Sequence, residues 1–377
     1  MNTIAYIGMD VHTTNYTLCG FTAENDIPFG RATINPEMTE LEKYLNKLHE
    51  RKGFTHFICG YEAGCLGYTL CRTIMAHSWK GFSVECFIIA PTTIPVPKGI
   101  RIKTDRRDAL LIGQAMRNGT CSYVYIPDQN DESVKEYIRM RNDTQTQLKA
   151  TKQQISAMCT RQGHHYSGKS LWTQAHLEWL KKLTFSNALF RETLDEYLFT
   201  YTQQSERLAR FDKRIEEMAQ TEKYNSRVRA LSCLKGIATH TALSLIVEVG
   251  DFNRFPEAKN FASFLGLVPG EDSSSTRIHR LGITKSGNNH LRRLLVESAN
   301  CFSKGSKIKS KALKARQAGN SKEIIAYADR ANERLRRKYM NIQLRSKGAI
   351  AKGAIAKVAV ARELACFVWG MMTGHID

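Results

Sequence analysis

The sequence predicts an α/β domain at the N-terminus, then a region of long helices and a mainly α C-terminal domain. Short apolar runs alternate with helical patterns over the first 125 residues, which is typical of a mostly buried central sheet. From residue 132 to about residue 224 glycines are few and apolar residues recur at helical spacing. Turns and basic segments follow. We therefore expect three domains, at residues 1–125, 126–225 and 226–377.

The first region contains three apolar runs of strand length, a hairpin partner for the first of them, and two segments with helical spacing. In chain order these are a strand at 4–10, its partner at 16–21, a helix at 38–49, a strand at 55–62, a helix at 67–78 and a strand at 84–89. Two of the strands end in a carboxylate, Asp10 and Glu62.

The middle region carries a heptad seam with one polar interruption, which is typical of a coiled coil. Its members are Leu194, Tyr197, Tyr201, Gln204, Leu208, Phe211, Ile215 and Met218. The seam fits a coiled coil between subunits and, equally well, a helical hairpin within the chain formed with residues 171–183. Gln204 at a core position favours a defined register in both cases.

The positive charge is concentrated near the C-terminus. Lys and Arg number 55 against 36 Asp and Glu, a net charge of +19, and residues 277–362 hold 22 of the basic residues but only 4 of the acidic ones. A solvated helical surface usually mixes both signs, so this excess predicts a polyanionic partner. The candidate nucleic-acid contacts are Arg277, Arg280, Lys285, Arg292 and Arg293.

Other classes of protein fit less well. No apolar run approaches the roughly 20 residues that span a bilayer, and residues 1–8 carry no basic residue ahead of the first strand. We therefore expect neither membrane insertion nor secretion, and no membrane partner. The ten cysteines form no Cys-x-x-Cys pair, which predicts reduced thiols in the cytoplasm and no zinc site.

Four carboxylates stand out by position. Asp10 and Glu62 close separate strands, and Asp105 and Asp108 are spaced i, i+3 where a helix begins, so both lie on one helix face. Four bare anions brought together need counter-charge. Hard divalent cations such as Mg²⁺ prefer oxygen ligands, and two ions about 3.5–4 Å apart hold the reacting oxygens of a phosphodiester.

Each carboxylate also has a structural alternative. Asp105 fits a helix cap, and Asp108 fits a surface ion pair with Arg106 or Arg107. Two strand-terminal carboxylates combined with a helical pair are much less expected by chance, and the metal site is the favoured interpretation.

A serine run, residues 273–275, precedes Arg277 and Arg280. A serine attacks a phosphodiester only if its proton is removed and the charge that develops on the phosphorus oxygens is stabilised. The neighbouring cations meet the second need. The spacing indicates no dedicated base, although His279 is nearby. The alternative is a turn-forming polar loop.

These residues resemble the DEDD transposases of the insertion-sequence "one hundred and ten" family, related to the Piv DNA invertase. The N-terminal half of the resemblance is carried by Gly8-Met9-Asp10-Val11-His12, Tyr61-Glu62-Ala63-Gly64 and Lys103-Thr104-Asp105-Arg106-Arg107-Asp108-Ala109. The C-terminal half is carried by Leu265-Gly266-Leu267-Val268-Pro269, the serine run, Leu281-Gly282-Ile283-Thr284-Lys285-Ser286-Gly287-Asn288 and Leu291-Arg292-Arg293-Leu294-Leu295. The match covers nearly the whole chain in the expected order.

The resemblance implies a RuvC-like (ribonuclease-H-type) N-terminal domain that binds Mg²⁺ through Asp10, Glu62, Asp105 and Asp108. It also implies a C-terminal transposase domain with a serine nucleophile. The family pattern reads Ser-Gly after the proline, and alignment on Pro269 and on Ile283-Thr284-Lys285 assigns the nucleophile to Ser274. Ser275 stands where glycine is usual, so Ser273 and Ser275 remain alternatives.

For partners, the resemblance implies donor and target DNA and a non-coding bridge RNA. It implies a homodimer or homotetramer in which the metal site of one subunit meets the serine of another, in a prokaryotic cytoplasm at the nucleoid. Three other functions remain open: a site-specific DNA invertase of the same family, a metal-only RuvC-like junction nuclease, and a catalytically silent nucleic-acid-binding protein.

Overall fold

The computed structural model describes residues 3–95, 104–274, 277, 279–304, 307–345 and 349–376. The chain divides into two compact units, Met1–Ile126 and Pro127–Asp377. The first contains a mixed β-sheet and the second is mostly helical, which confirms the predicted order of an α/β region followed by a helical one. Among the described residues, no helix has both the length and the apolar character needed to cross a membrane.

The sheet of the first unit has five strands. They are β1 (Ile4–Val11), β2 (Tyr16–Thr22), β3 (Phe29–Ile34), β4 (His56–Glu62) and β5 (Ser83–Ile89). Their order in space is β3-β2-β1-β4-β5. The first three pair antiparallel, and β4 and β5 continue the sheet in parallel to β1. Four of the strands match the sequence prediction, and β3, at an edge, was not predicted.

Helices cover both faces of this sheet. They are α1 (Met38–Lys52), α2 (Thr69–Ala76) and α3 (Asp105–Arg117). Alternate residues of a strand point to opposite faces. Ile7 and Met9 of β1 belong to one apolar cluster with Leu45 of α1 and Ile74 of α2, so the even-numbered residues of β1 face α3.

Helix α3 packs directly on the backbone of the sheet. A Cβ on Gly8 of β1 would overlap the backbone oxygen of Ala109 and the nitrogen of Gly113, and a Cβ on Gly60 of β4 would overlap Met116. The two strand glycines therefore let α3 approach more closely than any larger residue would. This close packing determines the distance between the first turn of α3 and the ends of β1 and β4.

Replacing Gly8 with alanine is expected to lower the free energy of unfolding by about 2–3 kcal/mol, because the backbone of α3 must move away from the sheet. Thermal or denaturant unfolding measures the change. Gly64→Ala is the matched control, since its Cβ would meet only the carbonyl oxygen of Glu62, at 3.7 Å. Equal stability of the two variants would contradict the close packing.

The second unit contains ten helices and a two-stranded hairpin among the described residues. The helices are α4 (Gln129–Arg161), α5 (Gln174–Lys182), α6 (Ala188–Ala219), α7 (Glu222–Leu231), α8 (Thr239–Val249), α9 (Ala258–Phe264), α10 (Asn289–Ala299), α11 (Lys311–Gln317), α12 (Lys322–Arg345) and α13 (Ala349–Thr373). The strands are β6 (Pro269–Glu271) and β7 (Arg280–Ile283). The core surrounds α8, which is buried from Ala242 onward.

The heptad seam of α6 packs within the chain against α4. The Thr151 hydroxyl donates to Oε1 of Gln204 at 3.0 Å, and the rings of Tyr137 and Phe211 meet edge to face at 5.4 Å. Leu180 of α5 shares a smaller cluster with the start of α6. The predicted hairpin partner, residues 171–183, therefore supplies only part of the contact, and the longer partner α4 was not predicted.

His240, in the first turn of α8, is held in its neutral form. Its Nε2 is buried and has no hydrogen-bond partner among the described residues. Burial, together with the charge of Arg141, lowers its pKa to about 4. Since the unfolded chain takes up a proton near pH 6.5, stability is lost as the pH falls from about 6.5 toward 4.

His240→Gln is therefore expected to flatten the pH dependence of stability in this range, removing about 2–3 kcal/mol of the acid-induced loss. Denaturant titrations at several pH values measure it. His165→Gln, a change at an exposed histidine of the same unit, is expected to leave the profile as in the wild type. A profile that His240→Gln does not change would show that other groups cause the acid sensitivity.

Candidate functional site

Two of the predicted carboxylates lie side by side at one edge of the sheet. Met9 of β1 pairs in parallel with Tyr61 of β4, and Asp10 and Glu62 each come one residue later. Both occupy even positions, on the face that α3 covers. Because the carboxyl ends of parallel neighbours meet at the same edge, this alternation brings the two carboxylates to one place.

The other two carboxylates lie in the first turn of α3. Thr104 is the N-cap, and its hydroxyl accepts a hydrogen bond from the backbone N–H of Arg107 at 3.4 Å. The capping alternative for Asp105 is therefore wrong, since Asp105 is the first residue inside the helix. Acidic residues are favoured here by the helix dipole, and the spacing from Asp105 to Asp108 keeps both on the same side of the helix.

Asp10, His12 and Asp105 form the tightest group. The Nε2 of His12 lies 3.4 Å from Oδ2 of Asp10 and 3.9 Å from Oδ1 of Asp105. The ligand atoms of all three residues lie within 4.8 Å of one another, and no other such group occurs among the described residues. Glu62, which is exposed, and Asp108 stand outside this group.

The charged form of Asp10 is disfavoured in the protein without a bound cation. Burial raises the pKa of Asp10, and the nearby charges of Asp105 and Asp108 raise it further against the opposing effect of His12. The charged form of Asp10 is therefore disfavoured at this edge of the sheet, mainly by burial. Carboxylate oxygens in such an arrangement fit a divalent cation.

His12 was not singled out by the sequence analysis. It lies two residues after Asp10, and residues two apart in an extended strand point to the same face. The two-residue spacing between Asp10 and His12 was the sequence feature that could have indicated their grouping.

Ser273 and Ser274 lie on the β6–β7 hairpin. Ser274 pairs with Arg277 across it, with N–O distances of 3.1 and 2.9 Å in the two directions, and both residues are exposed. The Ser273 hydroxyl donates to Oε1 of Glu271 at 2.8 Å and accepts from the backbone N–H of His279 at 3.2 Å. Ser275 lies outside the described residues.

The candidate nucleic-acid contacts differ in their surroundings. Lys285 is exposed and adopts a left-handed backbone with φ of 57°. The guanidinium of Arg292 donates to the backbone oxygens of Leu265 and Ser286 at 2.9 and 3.0 Å, so it fixes the loop that precedes α10. Arg293 is exposed. The side chain of Arg280 lies outside the described residues.

Known proteins resemble the chain over most of its length. Residues 7–161 match DEDD_Tnp_IS110, a family described as a transposase, and residues 228–313 match the Transposase IS116/IS110/IS902 family. The transposase for insertion sequence element IS1533 of Leptospira borgpetersenii is 30% identical over 354 residues, which are 91% of this chain and 97% of that protein.

Two further relatives extend this picture. The y4qE protein of Sinorhizobium fredii, named as a transposase, is 34% identical over 84% of this chain and 76% of its own length. The pilin gene-inverting protein of Moraxella bovis is 25% identical over 78% of this chain and 81% of its own length. The resemblance predicted from the motifs is confirmed. The chain belongs to the IS116/IS110/IS902 family of transposases, and is therefore an enzyme that cleaves DNA and transfers it.

Proposed function

We propose that this transposase cuts and rejoins DNA strands of an insertion sequence with two sets of residues. One set is the carboxylates Asp10, Glu62, Asp105 and Asp108, and the other is the serine Ser274. The observation that carries the proposal is that Asp10 of β1 and Asp105 of α3 lie close together at the edge of the sheet where Glu62 ends the neighbouring strand β4.

The topology supports a RuvC-like, ribonuclease-H-type domain. Three antiparallel strands continue into two parallel ones in the order β3-β2-β1-β4-β5. The carboxylates close the two central strands and open the helix above them. This arrangement agrees with the fold that the motif resemblance implies.

The donor set fits Mg²⁺, a hard cation that prefers carboxylate oxygens and accepts phosphate oxygens as further ligands. When bound, one or two Mg²⁺ ions supply positive charge next to the phosphorus oxygens. Asp10 and Asp105 hold the ion, and Glu62 and Asp108 complete the acidic set. Helix α3, fixed to the sheet at Gly8, keeps the two halves of this set together.

The serine supplies the nucleophile. The Oγ of Ser274 attacks a DNA phosphorus, a bond forms between them, and the bond from phosphorus to one bridging oxygen breaks. That oxygen takes up the proton released by the serine and leaves as a free hydroxyl. The covalent phosphoserine link conserves the bond energy, so the hydroxyl of a new DNA partner can reverse the step without ATP. We assign the stabilisation of the developing anion to Arg277, whose backbone pairs with that of Ser274.

Target choice is assigned to a bridge RNA that pairs with donor and target DNA, and the assembly to a homodimer or homotetramer that joins the metal site of one subunit to the serine of another. These assignments rest on the motif resemblance and on the basic C-terminal segment. Site-specific inversion is the second candidate function, favoured by the similarity to the pilin gene-inverting protein. Inversion uses the same bond-making steps.

The test uses the full-length protein purified with whatever nucleic acid it retains. Incubation with Mg²⁺ and end-labelled DNA carrying the ends of its element should leave label on the protein after denaturation. A chelator should prevent this labelling. Cleavage that leaves no label on the protein would instead favour a metal-only nuclease in which water attacks.

Sequencing the retained nucleic acid tests the guide. We expect one discrete small RNA encoded beside the gene of this protein. Retained RNA drawn at random from the transcriptome would contradict the bridge-RNA assignment while leaving the chemistry of cleavage untouched.

A further inference from the structure

The C-terminal unit contains a cavity lined only by hydrogen-bond donors and amides. Its volume is about 620 Å³, within the range of ligand sites. The lining residues are Arg139 of α4 together with Asn288, Asn289, His290 and Arg293 at the start of α10. Two are arginines and none is acidic. The cavity is built from residues other than the carboxylates of the first unit and the serines of the hairpin.

Glu248 fixes the arginine on one side of this cavity. Its carboxylate is buried in α8 and accepts from Nε and Nη2 of Arg139, at 2.9 and 3.2 Å. The ammonium of Lys135 lies 3.7 Å away. A bidentate pair of this kind holds a guanidinium in one orientation. One anion here faces two cations, so the surroundings of the cavity keep an excess of positive charge even before Arg293 is counted.

The same carboxylate also fixes the start of α10. The side-chain amide of Asn288 donates to Oε2 of Glu248 at 3.0 Å, while its oxygen accepts from the backbone N–H of Leu291 at 3.0 Å. Asn288 is thus the N-cap of α10 and ties that helix end to the buried acid. The first N–H groups of a helix have no acceptor within the helix, and the dipole makes this end positive.

His290 also lines this wall. Its Nε2 is buried and makes no hydrogen bond within the part of the chain that the structure describes. The guanidinium groups of Arg139 and Arg293 and the end of α10, which come from two separate helices, therefore surround one space, and an anion with several oxygens satisfies them together.

We propose that this cavity binds one phosphate group of a nucleic-acid backbone. The proposal rests on the proposed function in assuming that the C-terminal unit contacts nucleic acid. Arg139 of α4 and Arg293 of α10 supply the positive charge. The backbone N–H groups at the N-terminus of α10 orient the phosphate oxygens. A phosphodiester fits because the cavity is open enough to admit the sugars on both sides of the phosphate, with its volume well above that of a single anion.

The test is the salt dependence of binding to an end-labelled DNA duplex by the full-length protein. Each phosphate contact adds about 0.9 to the slope of log affinity against log salt concentration. Arg293→Gln is expected to reduce that slope by about 0.9. Arg210→Gln removes the same charge from an exposed position on α6 and is expected to leave the slope unchanged. Equal slopes for the two variants would overturn the proposal.

Diffraction from the protein with tungstate, a tetrahedral dianion, gives a second measurement. Anomalous density in contact with Arg139 and Arg293, together with the reduced slope, is the expected result. Tungstate density without any change of slope would mean that the cavity takes a free oxyanion, and would overturn the nucleic-acid assignment. A wild-type protein with no salt-dependent DNA binding would contradict the proposed function itself. Absence of tungstate density in the same protein would overturn the anion site as well.

Discussion

Replacing Asp10 with asparagine is expected to abolish DNA strand cleavage while leaving the fold at least as stable as in the wild type. Asparagine removes the negative charge of Asp10, whose side chain is less exposed than that of Asp105. Loss of even an outer-shell partner of a bound metal typically costs 10–100-fold in activity, so loss of a ligand should cost more than about 100-fold. Cleavage of labelled DNA in the presence of Mg²⁺ measures the effect.

Stability should change in the opposite direction from activity. Burial is the largest cause of the raised pKa of Asp10, and it outweighs the lowering by His12, while the charges of Asp105 and Asp108 raise the pKa as well, so the fold disfavours its ionised form. A neutral amide at this position removes that cost in metal-free protein. The melting temperature of the wild type should rise when Mg²⁺ is added, because a ligand that binds only the folded state stabilises it. The Asp10→Asn variant should show a much smaller rise.

Glu50→Gln is the control for this experiment. Glu50 is an exposed acid on α1 of the same unit, and its replacement should leave both cleavage and the response to Mg²⁺ as in the wild type. Cleavage by Asp10→Asn at the wild-type rate would refute the metal site and favour a role in nucleic-acid binding alone.

The second large effect is expected at the serine hairpin. Ser274→Ala should abolish the covalent protein–DNA adduct and lower strand cleavage by on the order of 10³-fold or more, as loss of a nucleophile does elsewhere. Ser274 is exposed, so the variant should fold normally and bind DNA with unchanged affinity. Denaturing electrophoresis of end-labelled DNA measures the adduct, and a gel-shift assay measures binding.

Ser273→Ala is the matched control, one residue away. The Ser273 hydroxyl lies between Glu271 and the N–H of His279, which indicates a role in holding the hairpin. We expect this variant to keep the adduct. An adduct that persists in Ser274→Ala and disappears in Ser273→Ala or Ser275→Ala would move the nucleophile to that serine. Full cleavage by all three variants would favour attack by water.

The N-terminal sheet was predictable because its central strands are short, apolar and bounded by turns. The strand β3 was missed because it lies at an edge, where Gly30 and Arg31 interrupt the apolar pattern. The acidic residues stood out in the sequence because Asp10 and Glu62 each end a strand, while Asp105 and Asp108 lie in the first turn of a helix. Their grouping with His12 was not found, because it depends on which side chains share a face and not on residue type.

The helical unit was harder to predict because its contacts join distant segments. The seam on α6 was visible, yet the sequence does not say that α4 lies against it, since many apolar faces satisfy the same heptad pattern. The network around Glu248 combines residues from α4, α8 and α10. The sequence around Glu248, an acid within an apolar stretch, does not indicate which distant residues it pairs with.

The alternation along β1 joins the stability of this unit to its chemistry. Ile7 and Met9 fill the core on one side, while Gly8 and Asp10 face α3 on the other. Adding or deleting one residue in this strand would exchange the two sides, turning the carboxylate into the apolar interior and forcing a bulky side chain against Ala109. Such a change of length would damage folding and catalysis at once, and repair would require a second, compensating change in the same strand.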